Sequence, residues 1–301
     1  MTERFDLYRH CTLCPRRCAI NRERDRGACG ESAVLRVARA ALHFWEEPCL
    51  SGSAGSGAVF FSGCGLRCLY CQNHGIAHQN HGKEIDVQRL SEIFLELMEK
   101  GAANLNLVTA VQFVPHVIAA LDMARARGLD LPVVYNSSGY ETIDTLRMLE
   151  GYVDIYLPDY KYFDPALAAR FSAAPDYPDV AKAAIGEMLR QTGEPCFDAD
   201  GRMRRGVIVR HLVLPGHTED SINAVRLLHR VYGDRIYISI MRQYTPCGSF
   251  PENPELSRRL TTYEYEKVLR FARSLGITKG YAQLGETAKE SFIPDFDGTG
   301  V

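Results

Sequence analysis

The chain has 301 residues, 46% apolar and 24% charged, with a formal net charge of −2, which bounds it to one large domain, or one with a small appendage, with a sizeable core. A near-neutral balance without a long basic block excludes a general nucleic-acid surface, and Arg202-Met203-Arg204-Arg205 reads as a solvated turn. No apolar run approaches the roughly 20 residues of a bilayer crossing and residues 1–10 lack a signal-peptide core, so a cytoplasmic protein without membrane contact is expected, its ten cysteines explained by metal rather than disulfides.

In chain order, the first feature is Cys11, Cys14, Cys18 and Cys29, spaced C-x2-C-x3-C-x10-C in a segment crowded with Arg and Glu. Four soft ligands at this spacing suit either an accessory iron–sulfur cluster or a structural zinc, with unmetallated thiols as the third reading. A lobe so poor in apolar residues needs such a staple. The expected organisation is therefore a Cys-rich lobe over 1–55 and a core over 56–301 that includes a C-terminal tail. Cys49, Cys196 and Cys247 have no local partners and read as buried structural thiols.

From Ala58 onward short apolar runs alternate with amphipathic stretches. Strands are expected at 58–62, 104–109, 132–136, 153–158, 206–214 and 235–241, and helices at 87–100, 114–127, 141–149, 179–191, 219–232 and 263–275. Six strands alternating with helices imply an α/β fold with a parallel sheet, either doubly wound or a complete or partial barrel.

Directly after the first of these strands comes Gly63-Cys64-Gly65-Leu66-Arg67-Cys68-Leu69-Tyr70-Cys71. A four-iron, four-sulfur cluster normally takes four thiolates, so a loop offering Cys64, Cys68 and Cys71 leaves one iron free for another ligand. A closed zinc site prefers four ligands, and no His stands at a fitting offset before His74. In a parallel barrel the reactive groups sit at the carboxyl ends of strands. Here those ends are polar: Asn106 to Thr109, Asn136 to Tyr140, Asp159 to Lys161, Arg210-His211 and Gln243 to Thr245. Each also has an ordinary reading, Ser137 and Ser138 as helix caps and Asp159 as a partner of Lys161.

The cysteine loop resembles that of the radical S-adenosylmethionine (radical SAM) superfamily. The runs Cys11-Thr-Leu-Cys14-Pro-Arg-Arg-Cys18, His43-Phe-Trp-Glu-Glu-Pro48, Tyr135-Asn-Ser-Ser-Gly-Tyr140, Val209-Arg-His-Leu-Val-Leu-Pro-Gly216 and Pro294-Asp-Phe-Asp297 are similar to the PflX-like family of iron–sulfur proteins, labelled pyruvate formate-lyase activating enzyme-like. The resemblance implies a partial (β/α)6 barrel with the cluster loop after its first strand. It also implies S-adenosylmethionine on the open iron, reductive cleavage to a 5'-deoxyadenosyl radical, and Tyr70 beside the cofactor. By similarity to glycyl-radical activating enzymes, Asn136 and Ser138 stand where an Asp-Thr-Asn-Gly turn contacts ribose, Asp159 and Lys161 match an Asp-Leu-Lys run near the cofactor, and Arg210 matches an Arg before Pro-Gly that contacts substrate or cofactor. The Gly-Gly-Glu motif that binds the methionyl amino group in many relatives is absent, leaving Thr109 and nearby carbonyls as its substitutes.

Three readings stay open: an activase that abstracts hydrogen from a glycine of a partner glycyl-radical enzyme, a radical enzyme acting on a small molecule or another modification site, and a non-catalytic iron–sulfur or zinc protein. The first two imply an external electron donor such as flavodoxin or ferredoxin, because no Gly-rich dinucleotide fingerprint is present.

Overall fold

The computed structural model describes residues 2–283 and 294–301. Its strands are β1 (Arg36–His43), β2 (Ser56–Phe61), β3 (Lys83–Glu84), β4 (Leu105–Val108), β5 (Val133–Ser137), β6 (Ile155–Pro158), β7 (Cys196–Phe197), β8 (Met203–Leu212), β9 (Tyr237–Met241) and β10 (Gly280–Ala282). Its α-helices are α1 (Thr2–Phe5), α2 (Pro48–Ser51), α3 (His74–Ala77), α4 (Val87–Glu99), α5 (Val114–Ala126), α6 (Ile143–Met148), α7 (Pro165–Ser172), α8 (Tyr177–Thr192), α9 (Thr218–Tyr232) and α10 (Thr262–Ser274).

All six expected strands and all six expected helices are present. The longer helices form for local reasons. In α4 the side chains of Leu90, Ile93, Phe94 and Leu97 fall on one buried face, and the Asp86 carboxylate caps the start by accepting from the Arg89 amide at 2.7 Å. Helix α10 opens on a reciprocal box in which Thr261 and Glu264 satisfy each other's backbone amides.

The sheet runs β10-β9-β8-β6-β5-β4-β2-β1-β3. From β2 to β10 the neighbours on this path are parallel and in chain order. A doubly wound sheet reverses its strand order at a switch point, whereas an order that never reverses keeps right-handed crossovers on one face, as a partial barrel requires. Alternation then divides the strand residues: Phe61, Leu107, Tyr135, Tyr156 and Val209 pack among the helices, while Val134, Ile155, Leu157 and Ile208 pack on the other face against Cys49 and Leu50 of α2.

The structure adds short elements that the sequence reading did not expect, among them β1 and α7, and corrects its reading of two cysteines. Strand β1 was not expected, because Arg36 and Arg39 interrupt its apolar pattern and a bulge lies between Val37 and Arg39; it pairs antiparallel with β2 and β3. Cys196 and Cys247, expected to be buried, are exposed, on the two-residue strand β7 and the loop after β9, whereas Cys49 is buried as expected.

Candidate radical site at the carboxyl ends of the strands

Because the core strands are parallel, the loops after β2, β4, β5, β6, β8 and β9 gather along one edge of the sheet. The cysteine loop begins at Gly63, whose φ of +82° and close approach to Cys29 leave no room for a side chain: a Cβ there would meet the Cys29 carbonyl oxygen at 2.9 Å and Glu31 Cγ at 2.5 Å. The loop is then fastened from two sides. Its Arg67 and Leu69 amides donate to the carbonyls of Ser172 and Phe171 at the end of α7, while the Cys64 amide donates to the Cys29 carbonyl at 3.3 Å and Arg16 Nε to the Gly65 carbonyl at 2.7 Å.

Cys68 and Cys71 enter the wall of a cavity of about 240 Å³, together with Tyr70, Asn136, Asp159, Lys161, Arg210, Gln243 and Glu46. Cys68 is buried and accepts from Ser172 Oγ at 3.0 Å. Burial pushes the Cys64 thiol up to about 12, reinforced by the neighbouring Cys68, and moves Cys71 in the same direction for the same reasons. Thiols so placed ionise when a cation compensates them, and Lys161 already acts on both in that sense. Three soft donors on one short loop, with a part-buried ammonium nearby, therefore fit the donor chemistry of an iron–sulfur cluster.

The cavity floor is an ionic network. Arg210, at the end of β8, donates from Nε to Asp159 Oδ1 at 3.2 Å, from Nη1 to Glu46 Oε2 at 3.3 Å, and from Nη2 to Asn136 Oδ1 at 2.6 Å. Lys161 Nζ donates to Asp159 Oδ2 at 2.6 Å. Burial alone would raise the Asp159 carboxyl; Lys161 and Arg210 outweigh it and hold the group below its ordinary value. The pairing of Asp159 with Lys161 anticipated as its ordinary role is thus present, within a larger network that faces the cavity.

Of the expected residues, the fold brings together Cys68, Cys71, Tyr70, Asn136, Asp159, Lys161 and Arg210. Cys64 is part-buried beside Cys68 on the same loop. Thr109 and Ser138 stand outside the cavity wall. Thr109 adopts φ +59° and its amide donates to the Asn136 carbonyl, while Ser137 Oγ and Ser138 Oγ accept from the Gly139 and Tyr140 amides within a turn; neither caps a helix as the ordinary reading held, because Thr142 caps α6. Glu46 is the residue that sequence reasoning passed over. Its Oε1 accepts from Asn106 Nδ2 at 3.0 Å and Asn136 Nδ2 at 3.2 Å, so a carboxylate occupies the end of β4, where no acidic motif exists in the local sequence. The His43–Pro48 run was its only signal.

The N-terminal cysteines lie against this loop. Cys14 Sγ is 3.4 Å from where a Cβ on Gly65 would stand, and Arg67 Nη2 donates to the Ala28 carbonyl at 2.6 Å.

The chain is similar to the uncharacterized protein MJ0674 of Methanocaldococcus jannaschii, 29% identical over 279 residues that make up 90% of this chain and 77% of that protein. Among solved structures, HydG, a maturase of the FeFe-hydrogenase, superposes with a TM-score of 0.50 at 15% identity, over 76% of this chain and 50% of that one. SuiB of Streptococcus suis, bound to its precursor peptide SuiA, gives a TM-score of 0.49 at 12% identity over 74% and 47% of the two chains. This chain spans about half the length of those solved proteins, and the likeness to HydG is one of fold. The family described as the radical SAM superfamily matches residues 58–228, more than half the chain, starting inside β2 and taking in the cysteine loop. The chain belongs to the radical SAM superfamily, whose members use an iron–sulfur cluster and S-adenosylmethionine.

Proposed function

We propose that Cys64, Cys68 and Cys71 bind a four-iron, four-sulfur cluster, that S-adenosylmethionine occupies the adjoining cavity, and that the protein abstracts a hydrogen atom from its substrate. The observation that carries this reading is the convergence of the loop thiols with the charged ends of β6 and β8 on one cavity. When bound, the cluster and S-adenosylmethionine supply reductive cleavage of the sulfonium to a 5'-deoxyadenosyl radical.

This chain's own residues bind and orient. Lys161, a mostly buried cation that acts on all three thiols, offsets the negative charge that they carry on ionisation. Glu46 offers the methionyl ammonium a carboxylate in place of the missing Gly-Gly-Glu motif, and Asn136 and Arg210 fix that carboxylate from two strands. The apolar side chains of Phe60, Val108, Leu212 and Met241 line part of the cavity and offer the cofactor an apolar surface.

For the substrate, a glycine in a partner glycyl-radical enzyme remains the first reading, with flavodoxin or ferredoxin as reductant. The compartment proposed for this protein is the reducing cytoplasm, where cysteines serve metal rather than disulfides. The second reading, a small molecule, is favoured by Pro294 of the C-terminal tail, which reaches the cavity wall.

The test is anaerobic reconstitution with iron and sulfide, reduction with dithionite, addition of S-adenosylmethionine, and chromatography for 5'-deoxyadenosine. The native chain is expected to form the product and Cys71→Ala to fall to background, because two thiolates do not retain the cluster there. A fully loaded native chain that forms no product, and whose electron resonance spectrum does not change on adding S-adenosylmethionine, would overturn the reading.

A further inference from the structure

Arg22 is fully buried, yet among the described residues no carboxylate lies within ion-pair distance of it. Its Nη1 donates to the Gln112 carbonyl at 2.6 Å, Nη2 to the Ser32 carbonyl at 2.6 Å, and Nε to the Glu31 carbonyl at 3.2 Å. The rings of Tyr8 and Phe113 cover its faces, with centroids at 4.6 and 5.5 Å. Nearby Glu31 makes its direct contacts with Arg36 at 3.4 Å and Asn80 at 2.6 Å and acts on Arg22 only from beyond ion-pair distance. Carbonyls satisfy the guanidinium's hydrogen bonds without neutralising it, and an uncompensated buried cation costs several kcal/mol.

What the guanidinium does face is sulfur. Nη1 lies 3.8 Å from Cys11 Sγ. A Cβ on Gly27 would stand 3.5 Å from both Cys18 Sγ and Cys29 Sγ, so these two sulfurs lie within twice that distance of each other, and the same point is 3.6 Å from Arg22 Cδ. The backbone sets up this gathering: the Cys11 amide donates to Ile20 and the Ala19 amide returns to Cys11, folding Cys14 and Cys18 over a tight loop, while the Gly27 amide donates to the Glu31 carbonyl and brings Cys29 back.

We propose that Cys11, Cys14, Cys18 and Cys29 hold a second metal centre of net negative charge, a tetrathiolate iron–sulfur cluster or zinc, and that Arg22 is its buried counter-cation. Four thiolates around a dicationic core leave a charge of about −2, which supplies the anion that Arg22 lacks. Among the described residues no three ligand side chains are drawn up around a single-ion point; on this proposal the four thiols reorient to close around the metal as it binds. Arg22 also joins the two cysteine groups: the Gln112 carbonyl accepts from Arg22, and the Gln112 side-chain amide donates to the Ser62 and Gly63 carbonyls at the entrance to the radical loop.

The proposal rests on residues other than the radical-site thiols, and its test separates the two. A chain carrying Cys64→Ala, Cys68→Ala and Cys71→Ala is supplied anaerobically with ferrous iron and sulfide, or with zinc, and bound metal is counted per chain. The expected result is about four iron with matching sulfide, or one zinc, retained by this variant and lost when Cys14→Ser is added. Arg22→Met, with its fold checked by circular dichroism, is expected to weaken metal retention against a chelator by about 10- to 100-fold, and Arg22→Lys to recover part of the loss. A folded triple variant that retains neither metal overturns the centre, and undiminished retention in Arg22→Met overturns the role of Arg22. Should the triple variant not fold, the intact chain decides: metal beyond about four iron per chain supports the centre, and about four iron without zinc overturns it.

Discussion

Arg210 joins three strands and the segment after β1, and its value lies in what it leaves behind when removed. Glu46 and Asp159 are both mostly buried and both depend on it. Arg210→Met should therefore cost about 3–5 kcal/mol of unfolding free energy, read from urea titration, since two carboxylates lose a buried partner. Glu141 behaves differently. Its carboxyl is pushed up to about 8 by burial, and a hydrogen bond from Ser137 Oγ at 3.1 Å only partly opposes this. The native state keeps this proton up to about pH 8, whereas the unfolded chain releases it near the ordinary value of 4.5. Between these limits the native state binds more protons, so this group's contribution to stability falls as pH rises, by at most about 1.4 kcal/mol per unit. Glu141→Gln should remove that slope: denaturation midpoints measured from pH 5 to 9 should show the variant gaining on the native chain as pH rises. Parallel pH profiles for the two would refute the assignment.

At the scale of elements, the box that starts α10 is separate from the site. Thr261→Ala should cost about 1 kcal/mol in thermal unfolding and leave the cavity untouched, because Thr261 serves only the first turn of that helix. The elements whose ends carry such local chemistry were legible in the sequence: α4 and α10 fall within one residue of their expected bounds, each set by a capping side chain and an amphipathic period. Strand β1 was not, because its charged residues find their partners outside the strand, Arg36 with Glu31 and with Glu84 on β3, and Arg39 with Asp297 of the C-terminal tail. The extra helix α7 escaped for a related reason. It has only eight residues, and its work, holding the radical loop through Phe171 and Ser172, is done against a segment a hundred residues away.

In the whole molecule, the N-terminal lobe and the radical loop are one packed unit. Arg16 reaches Gly65 on the loop and Ala173 beyond α7, so Arg16→Met should loosen both, costing about 1.5–3 kcal/mol and speeding amide hydrogen exchange across residues 64–69. Unchanged exchange there would mean that the lobe does not brace the loop. The sequence by itself determined the alternation of strands and helices, the two groups of thiols, and the polar strand ends, because periodicity, ligand spacing and turn chemistry are written in neighbouring residues. Tertiary structure alone decided that the sheet is singly wound, that Thr109 and Ser138 stand off the cavity while Glu46 enters it, and that Arg22 is buried against the cysteines with no carboxylate among the described residues in ion-pair distance. Each of these depends on residues far apart in the chain: Glu46 meets Asn106, Asn136 and Arg210 only after three strands have paired, and no local pattern encodes a partner that folding has yet to deliver.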